Sequence, residues 1–525
     1  MGRRRFWGCV EGNRAMSRGS LSRTVLWENN FRSGKVEEMK KTGRIIFMVL
    51  MSILLIGAGT VCLAAKEQKA SKAKVAKTQK APAAKAAFDA SKMGNMAGWD
   101  PANWVNPEGD TIRIAVVWPH SGPGALNGQM GWLCATFVAY DINKRGGIMV
   151  DGKKKKIALF KADSQSRPDA AKKILERMVL QEKVHAFIGT SGSNIQKISN
   201  EMANRYKIIS LNVAALADDL QDATNFNRYA FMTSDSTEAV GRGMAYYYGQ
   251  VRKKEKKFYI LCQDYSFGRE LASGFKKGLK EYYPEAELVG EDYHKLFLTD
   301  FAPYLTKIKA SGAEVIWTGD WTPDAANVLK QSRQMGIHIP FANIFMDEPG
   351  MLADVGVEGT KGLVNIKHFE TAGPAFTNPG MKKYYTAWNT EWKKFTVAPF
   401  NSVTFTYPWG TFGFWTQQMY WLFSVMERAG STDAEKIISV FEGDSYQFVS
   451  GRVVKMRSCD HKAIQGFRVC EFVPPDQQKI SMNMPPYYWV KGSSLCGPSW
   501  EIPADRVLPW MDEKLDRCKG KNAAE

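Results

Sequence analysis

Apolar and polar residues alternate along the middle of the chain in short segments that switch between two periods. Residues 111–117 (TIRIAVV) form an apolar run broken only by Arg113. The Gly/Pro-rich stretch 118–124 ends it, so the segment reads as a buried strand running into a turn. A helical pattern over about 128–144 follows and stops at Gly146-Gly147, the usual glycine terminator. Strand patterns over 156–162, 184–188 and 208–210 then alternate with helical ones over 168–181 and 193–206. The same alternation restarts after Thr233, with helix 238–252, strand 257–262, a turn at 263–268, helices 269–283 and 301–310, strand 314–318 and helix 324–335. Strands separated by helices predict an α/β fold with parallel sheets covered on both faces, where ligands sit beyond the carboxyl ends of the strands. Two such series in tandem predict two lobes with a cleft between them. The aromatic segment 412–429 is apolar around much of its helical circumference and reads as a core helix.

The turn at 189–193 (GTSGS) lies between the apolar run 186–188 and the helix that starts near Ser193. A strand, tight turn and helix in that order aim free backbone N–H groups at solvent. Thr190, Ser191 and Ser193 add hydroxyls, and Gly189 and Gly192 allow close approach, a combination that suits a carboxylate. An ordinary capped helix explains the same residues more simply, because Ser and Asn are common N-caps in any case.

The chain has 525 residues and a formal net charge of +18. Residues 1–38, 39–65 and 66–92 hold +4, +3 and +6 of it, leaving +5 for residues 93–525. The folded part is therefore only mildly basic and carries no nucleic-acid footprint. Met39-Lys40-Lys41 with Arg44, the apolar stretch 45–61 and the small residues Cys62 and Ala64 predict a secretory signal over 39–65. Residues 1–38 are unlike an export leader, so Met39 is the expected start. The apolar segment is expected to be cleaved. Retention as an anchor and lipidation at Cys62 are the alternatives. Residues 66–107, rich in Lys and Ala at their start, read as a solvated tether.

Several motifs in order carry a family resemblance: IRIAVVWPHSGPGALNG, NKRGGI, FIGTSGS, DYSFGRE, VIWTGDWTPD, SGRVV and CDHKA. Together they resemble the Leu/Ile/Val-binding proteins of branched-chain amino-acid ABC importers, from about Thr111 to about Val473. The resemblance implies a type I periplasmic binding fold, two Rossmann-like lobes joined by three crossings near Met232, Gly362 and Ser450. Lobe one would hold 108–232 and 363–449, lobe two 233–362 and 450–490, and 491–525 would be a C-terminal extension. It also implies a periplasmic, monomeric solute carrier without cofactor, partnered by an inner-membrane permease. A ligand-sensing receptor module of the same fold is the alternative.

The resemblance further implies that Thr190, Ser191, Gly192 and Ser193 take a ligand carboxylate. The second contact loop is expected at Ala214 and Ala215, where the family's Thr hydroxyl is missing. The acid that pairs with a ligand amino group falls at Asp347 or Glu348. Aromatic contacts are expected at Trp118, Phe267 and Trp321, and positions where amino-acid binders often carry Tyr read Asn127, Phe267 and Trp321 or Thr322. Indoles at these turns point to a flatter or larger ligand, or to a cation held over a ring.

Catalysis has little support. Gly189-Thr190-Ser191-Gly192-Ser193 lacks the final Gly of G-x-S-x-G, no nucleotide fingerprint is present, and the six His show no metal-ligand spacing. Of the eight Cys, Cys134 and Cys262 read as buried free thiols. An exported chain permits disulfides, and the pairs expected in the tail are Cys459–Cys470 and Cys496–Cys518.

Overall fold

β1 (Ile112–Trp118) is the strand on which the first lobe is assembled, and its apolar run is buried at every position except Arg113. In the computed structural model, which describes residues 92–93, 95–347, 349–367, 410–449, 451–474, 495–508, 514 and 516–518, β1 pairs in parallel with β4 (Ile157–Asp163) and β5 (Ala186–Gly189). β6 (Ile209–Asn212) and β7 (Ala230–Met232) complete a five-stranded parallel sheet of order β4-β1-β5-β6-β7, while β2 (Ile148–Val150) and β3 (Lys153–Lys155) pair as a separate antiparallel ribbon. β5, β6 and β7 are buried along their whole length. A strand covered on both faces shows a continuous apolar run instead of alternation. Helices α1 (Ala125–Lys144), α2 (Pro168–Leu180) and α3 (Ser193–Tyr206) connect the strands. The aromatic helix α9 (Gly410–Ala429) and α10 (Ala434–Phe441) share one apolar core with β1 and α1, as expected for the 412–429 segment. Tyr420 of α9 donates to the buried Asp141 of α1 at 2.9 Å.

The second lobe is a seven-stranded sheet of order β17-β16-β12-β11-β10-β8-β9. β8 (Lys257–Gln263), β9 (Glu287–His294), β10 (Val315–Thr318), β11 (Phe341–Asn343) and β12 (Val364–Lys367) run parallel. β16 (Phe467–Val473) and β17 (Leu495–Ile502) are antiparallel additions. Two apolar clusters flank this sheet. α4 (Thr237–Tyr246), continued by a π-helical turn at Tyr247–Arg252, and α5 (Ser266–Tyr282) supply the first. α6 (Ala302–Ser311), α7 (Asp324–Gln334) and α8 (Pro349–Thr360) contribute to the second. No helix among the described residues is long and apolar enough to cross a membrane.

Several sequence expectations need correction. Residues 364–367 were assigned to lobe one, yet β12 pairs with β11 and so belongs to the second sheet. The second crossing therefore lies beyond Lys367. Nor does the third fall at Ser450, a residue outside the described ones. β14 (Val453–Met456) and β15 (Ala463–Ile464) form a small antiparallel sheet with β13 (Ser445–Gln447), and Tyr446, Val454 and Met456 are buried in the first core. The chain enters the second sheet only at β16. Part of the expected extension, Leu495–Ile502, is an edge strand of that sheet.

The tether also ends earlier than position 107. Met93, Met96 and Trp99 are buried in the first core. Trp99 Nε1 donates to Thr136 Oγ1 at 3.2 Å, Trp132 Nε1 to the Pro101 carbonyl at 2.8 Å and Tyr140 OH to the Ala97 carbonyl at 2.6 Å. Large apolar side chains at a spacing of three, in a stretch otherwise poor in them, are what fix this strap to α1. The disulfides differ as well. Cys459 is joined to Cys518, 59 positions on, which excludes both expected pairs; Cys470 is also disulfide-bonded. Cys459 lies between β14 and β15 while Cys470 lies in β16 of the other sheet, so the eleven-residue spacing does not close a hairpin. Cys134 and Cys262 are buried free thiols. The expected leader, signal segment and residues 66–91 lie outside the described residues.

Candidate functional site

β5 ends at Gly189, where a Cβ would stand 2.1 Å from the Val117 carbonyl oxygen of β1. Only glycine lets these strands approach so closely before the chain turns. Gly192 occupies the N-cap position of α3 and has no side chain to cap it, while the Asn194 carboxamide oxygen accepts the Ile195 N–H at 3.0 Å. The Ser193 hydroxyl accepts the N–H of Ala217 at 3.3 Å. The amino end of α3 still carries the partial positive charge of the helix dipole.

Ser191 of this turn opens onto a cavity between the carboxyl ends of the two sheets. The first lobe contributes Asn127 from the first turn of α1, Ser191, Leu216 from the loop after β6 and Trp415 from α9. Gly128 lets α1 start there, since a Cβ would lie 2.0 Å from the Pro119 carbonyl oxygen. The second lobe contributes Tyr265 and Phe267 around the start of α5, Trp321 and Thr322 after β10, and Phe345 after β11. Five of these nine lining residues are aromatic, and none carries a charge.

The second-lobe wall is braced from behind. Trp321 Nε1 donates to the Tyr265 hydroxyl at 3.0 Å, and its ring meets Phe297 edge to face at 5.5 Å. Phe267 stands between Tyr265 and Phe345, with centroids 5.6 and 6.2 Å away. Next to Trp321, the wholly buried Asp320 carboxylate holds His294 Nε2 at 2.9 Å. Burial opposes protonation of His294, but that carboxylate overrides it and raises the imidazole pKa. Asp324 accepts from Gln263 Nε2 at 2.7 Å and from the Phe297 N–H at 2.9 Å. Its own pKa is pushed up to about 6 by burial. Tyr265 is raised too, chiefly by burial. These groups position the loop that carries Trp321.

Two lining side chains keep an unpaired donor. Asn127 is 7% exposed, and its Nδ2 has no partner among the described residues; the Thr322 hydroxyl has none either. Deeper in the turn, Thr190 is fully buried with its hydroxyl likewise unpaired.

Of the residues singled out from sequence, Asn127, Ser191, Phe267, Trp321 and Thr322 line the cavity. Thr190 and Ser193 are buried, and Gly192 is the half-buried cap of α3. Ala214 and Ala215 do not line it: the Asn212 carboxamide oxygen accepts both their N–H groups, at 3.2 and 2.9 Å. Their neighbour Leu216 lines it instead. Trp118 is fully buried and packs against Trp415 with centroids 4.6 Å apart, in the space left by Gly131. It ends β1 instead of opening the turn, so its indole belongs to the core. Asp347 is 3% exposed and paired with Lys367 of β12 at 3.1 Å. Lys367 Nζ also lies 5.2 Å from the Phe345 centroid. Glu348 lies outside the described residues. Sequence reasoning missed Tyr265, Phe345 and Trp415 as lining residues. The first was visible in the quoted motif DYSFGRE, while Trp415 was hidden in a helix that is otherwise core.

Residues 111–478 match the family model described as "periplasmic binding protein". An amino acid binding protein of Pseudomonas aeruginosa is 30% identical over 248 residues, covering 46% of this chain and 62% of the relative. A Leu/Ile/Val-binding protein homologue of Brucella abortus is 25% identical over 264 residues, covering 47% and 59%. The chain thus spans about three fifths of the length of these curated relatives. Among solved structures, a solute binding protein of an ABC transporter from Rhodopseudomonas palustris, in complex with 3,4-dihydroxybenzoic acid, superposes with a TM-score of 0.62. It is 18% identical and covers 75% of this chain and 98% of its own. A leucine binding protein of Thermotoga maritima superposes with a TM-score of 0.59 at 20% identity, covering 75% and 99%.

Proposed function

Because the chain belongs to the periplasmic binding protein family, we propose that it captures a small carboxylate solute, an amino acid or a related acid, between its two lobes. It then delivers that solute to an inner-membrane ABC permease. The observation that carries this reading is the cavity itself, lined from both lobes at the carboxyl ends of both sheets, with Ser191 of the turn into α3 in its wall. A ligand there touches both halves, so its binding energy favours the closed arrangement over the open one. Export by the 39–65 segment places the carrier in the periplasm. The lobes are best divided as 93–232 with 410–464 and 233–367 with 467–508.

The reading predicts no turnover. A thermal-shift screen of amino acids, aromatic acids and aliphatic carboxylates on the exported protein tests it. At least one carboxylate should raise the melting temperature with a saturable dependence on concentration, as a ligand of the folded state does. No shift with any of them would contradict solute capture.

A further inference from the structure

We propose that the solute is a planar aromatic carboxylate and that an aliphatic α-amino acid is not the ligand; this rests on the solute-capture reading above. An α-amino acid brings an ammonium into the cavity, and a desolvated ammonium needs an acid beside it. Among the described residues none of the lining side chains is acidic. The position expected to supply the acid, Asp347, already answers the buried Lys367 at 3.1 Å. That pair neutralises itself next to Phe345, so its charge is not free to meet a second cation.

The other end of the ligand is better provided for. The Ser191 hydroxyl lines the cavity at the turn into α3, and among the described residues Asn127 presents a buried amide N–H₂ without a partner. Both groups are donors, and both suit an anion. Such donors among uncharged walls describe a site for a carboxylate attached to an apolar body.

The shape of that body follows from the walls. Trp321, Phe267, Tyr265, Phe345 and Trp415 surround the space with ring surfaces. Trp321 is held by its bond to Tyr265, and Phe267 is tilted 40° to Tyr265 and 37° to Phe345. Fixed rings engage a flat ring by offset stacking or edge contacts, each worth about 0.5–1.5 kcal/mol beyond the area buried. A branched aliphatic side chain gains the burial without that extra contribution. A quaternary ammonium could also lie against ring faces, but a carboxylate-bearing arene uses both the rings and the donors with no cation to desolvate.

The test is isothermal titration of the full exported chain with benzoate, 4-hydroxybenzoate, cyclohexanecarboxylate, L-leucine and glycine betaine. Benzoate or its hydroxylated form should bind at least tenfold more tightly than each of the other three. Trp321→Ala should weaken that binding at least tenfold, and Trp321→Phe should recover part of it, which separates loss of the ring from loss of the fold. Tighter binding of L-leucine, glycine betaine or cyclohexanecarboxylate would overturn the aromatic assignment while leaving solute capture standing. Absence of binding by all five would overturn both the assignment and the carboxylate reading beneath it.

Discussion

Asn127 shows most plainly how a single residue trades stability for binding. Its amide N–H₂ is buried without a partner among the described residues, an arrangement that costs about 1–3 kcal/mol. Asn127→Leu should therefore raise the stability of the unliganded protein by about 1 kcal/mol, measured by urea unfolding, while weakening carboxylate binding about tenfold. Equal affinity in the variant would show that the amide faces no ligand. At this scale the sequence was readable where the chemistry is local. Gly189 to Ser193 carry their turn, their close backbone approach and their helix start within five residues. The surroundings of Trp118 and Asp347 were not readable there, because they depend on distant partners. Trp118 is claimed by Gly131 and Trp415, and Asp347 by a lysine on the next strand.

Among the elements, the strap at 93–106 and the disulfide Cys459–Cys518 carry weight that periodicity does not announce. Trp99 is 1% exposed and edge-packed on Phe137 with centroids 5.2 Å apart. Trp99→Ala should destabilise the first lobe by about 3–5 kcal/mol in equilibrium denaturation; a loss under 1 kcal/mol would show that the strap merely lies on the surface. The disulfide closes a loop of about sixty residues. Removing it as Cys459→Ser/Cys518→Ser should lower stability by about 4 kcal/mol on the chain-entropy estimate. Peptide mapping without reductant should recover Cys459 and Cys518 in one linked pair. β9 escaped the sequence reading because its residues, ELVGEDYH, are mostly half-exposed at the sheet edge. An edge strand with one polar side lacks the continuous apolar run that marks β5 and β6.

Across the whole molecule, a buried polar cluster ties the crossing region together. Lys462 Nζ meets Asp218 at 2.9 Å, and the Thr237 hydroxyl lies 2.7 Å from a carboxylate oxygen of both Asp218 and Glu270. Burial opposes ionisation of Asp218, yet Lys462 keeps its pKa below the ordinary value. Glu270 is raised by burial and by the neighbouring Asp218 and Asp219. Glu238, 2.6 Å from Lys277, is pushed by burial to about 7 from an ordinary 4.5. Folded-state pKa values above the unfolded ones mean that the native state binds the extra protons. The stability these two acids contribute is full below about 4.5 and is lost as pH rises through about 7 for Glu238 and about 8 for Glu270. The melting temperature should fall over that interval, and Glu238→Gln/Glu270→Gln should flatten the decline. The two-lobe plan itself was legible from the repeated strand–helix alternation. The exact crossings were not, because β12 and β16 are short apolar segments whose pattern suits either sheet.

Solute capture between the lobes is tested most directly by tryptophan fluorescence, since Trp321 and Trp415 both line the cavity. Titration with benzoate should give a saturable change in emission that is abolished in the Trp321→Ala/Trp415→Phe double variant while other tryptophans remain. A saturable change of the same size in that variant would place binding elsewhere on the molecule and contradict the inter-lobe site.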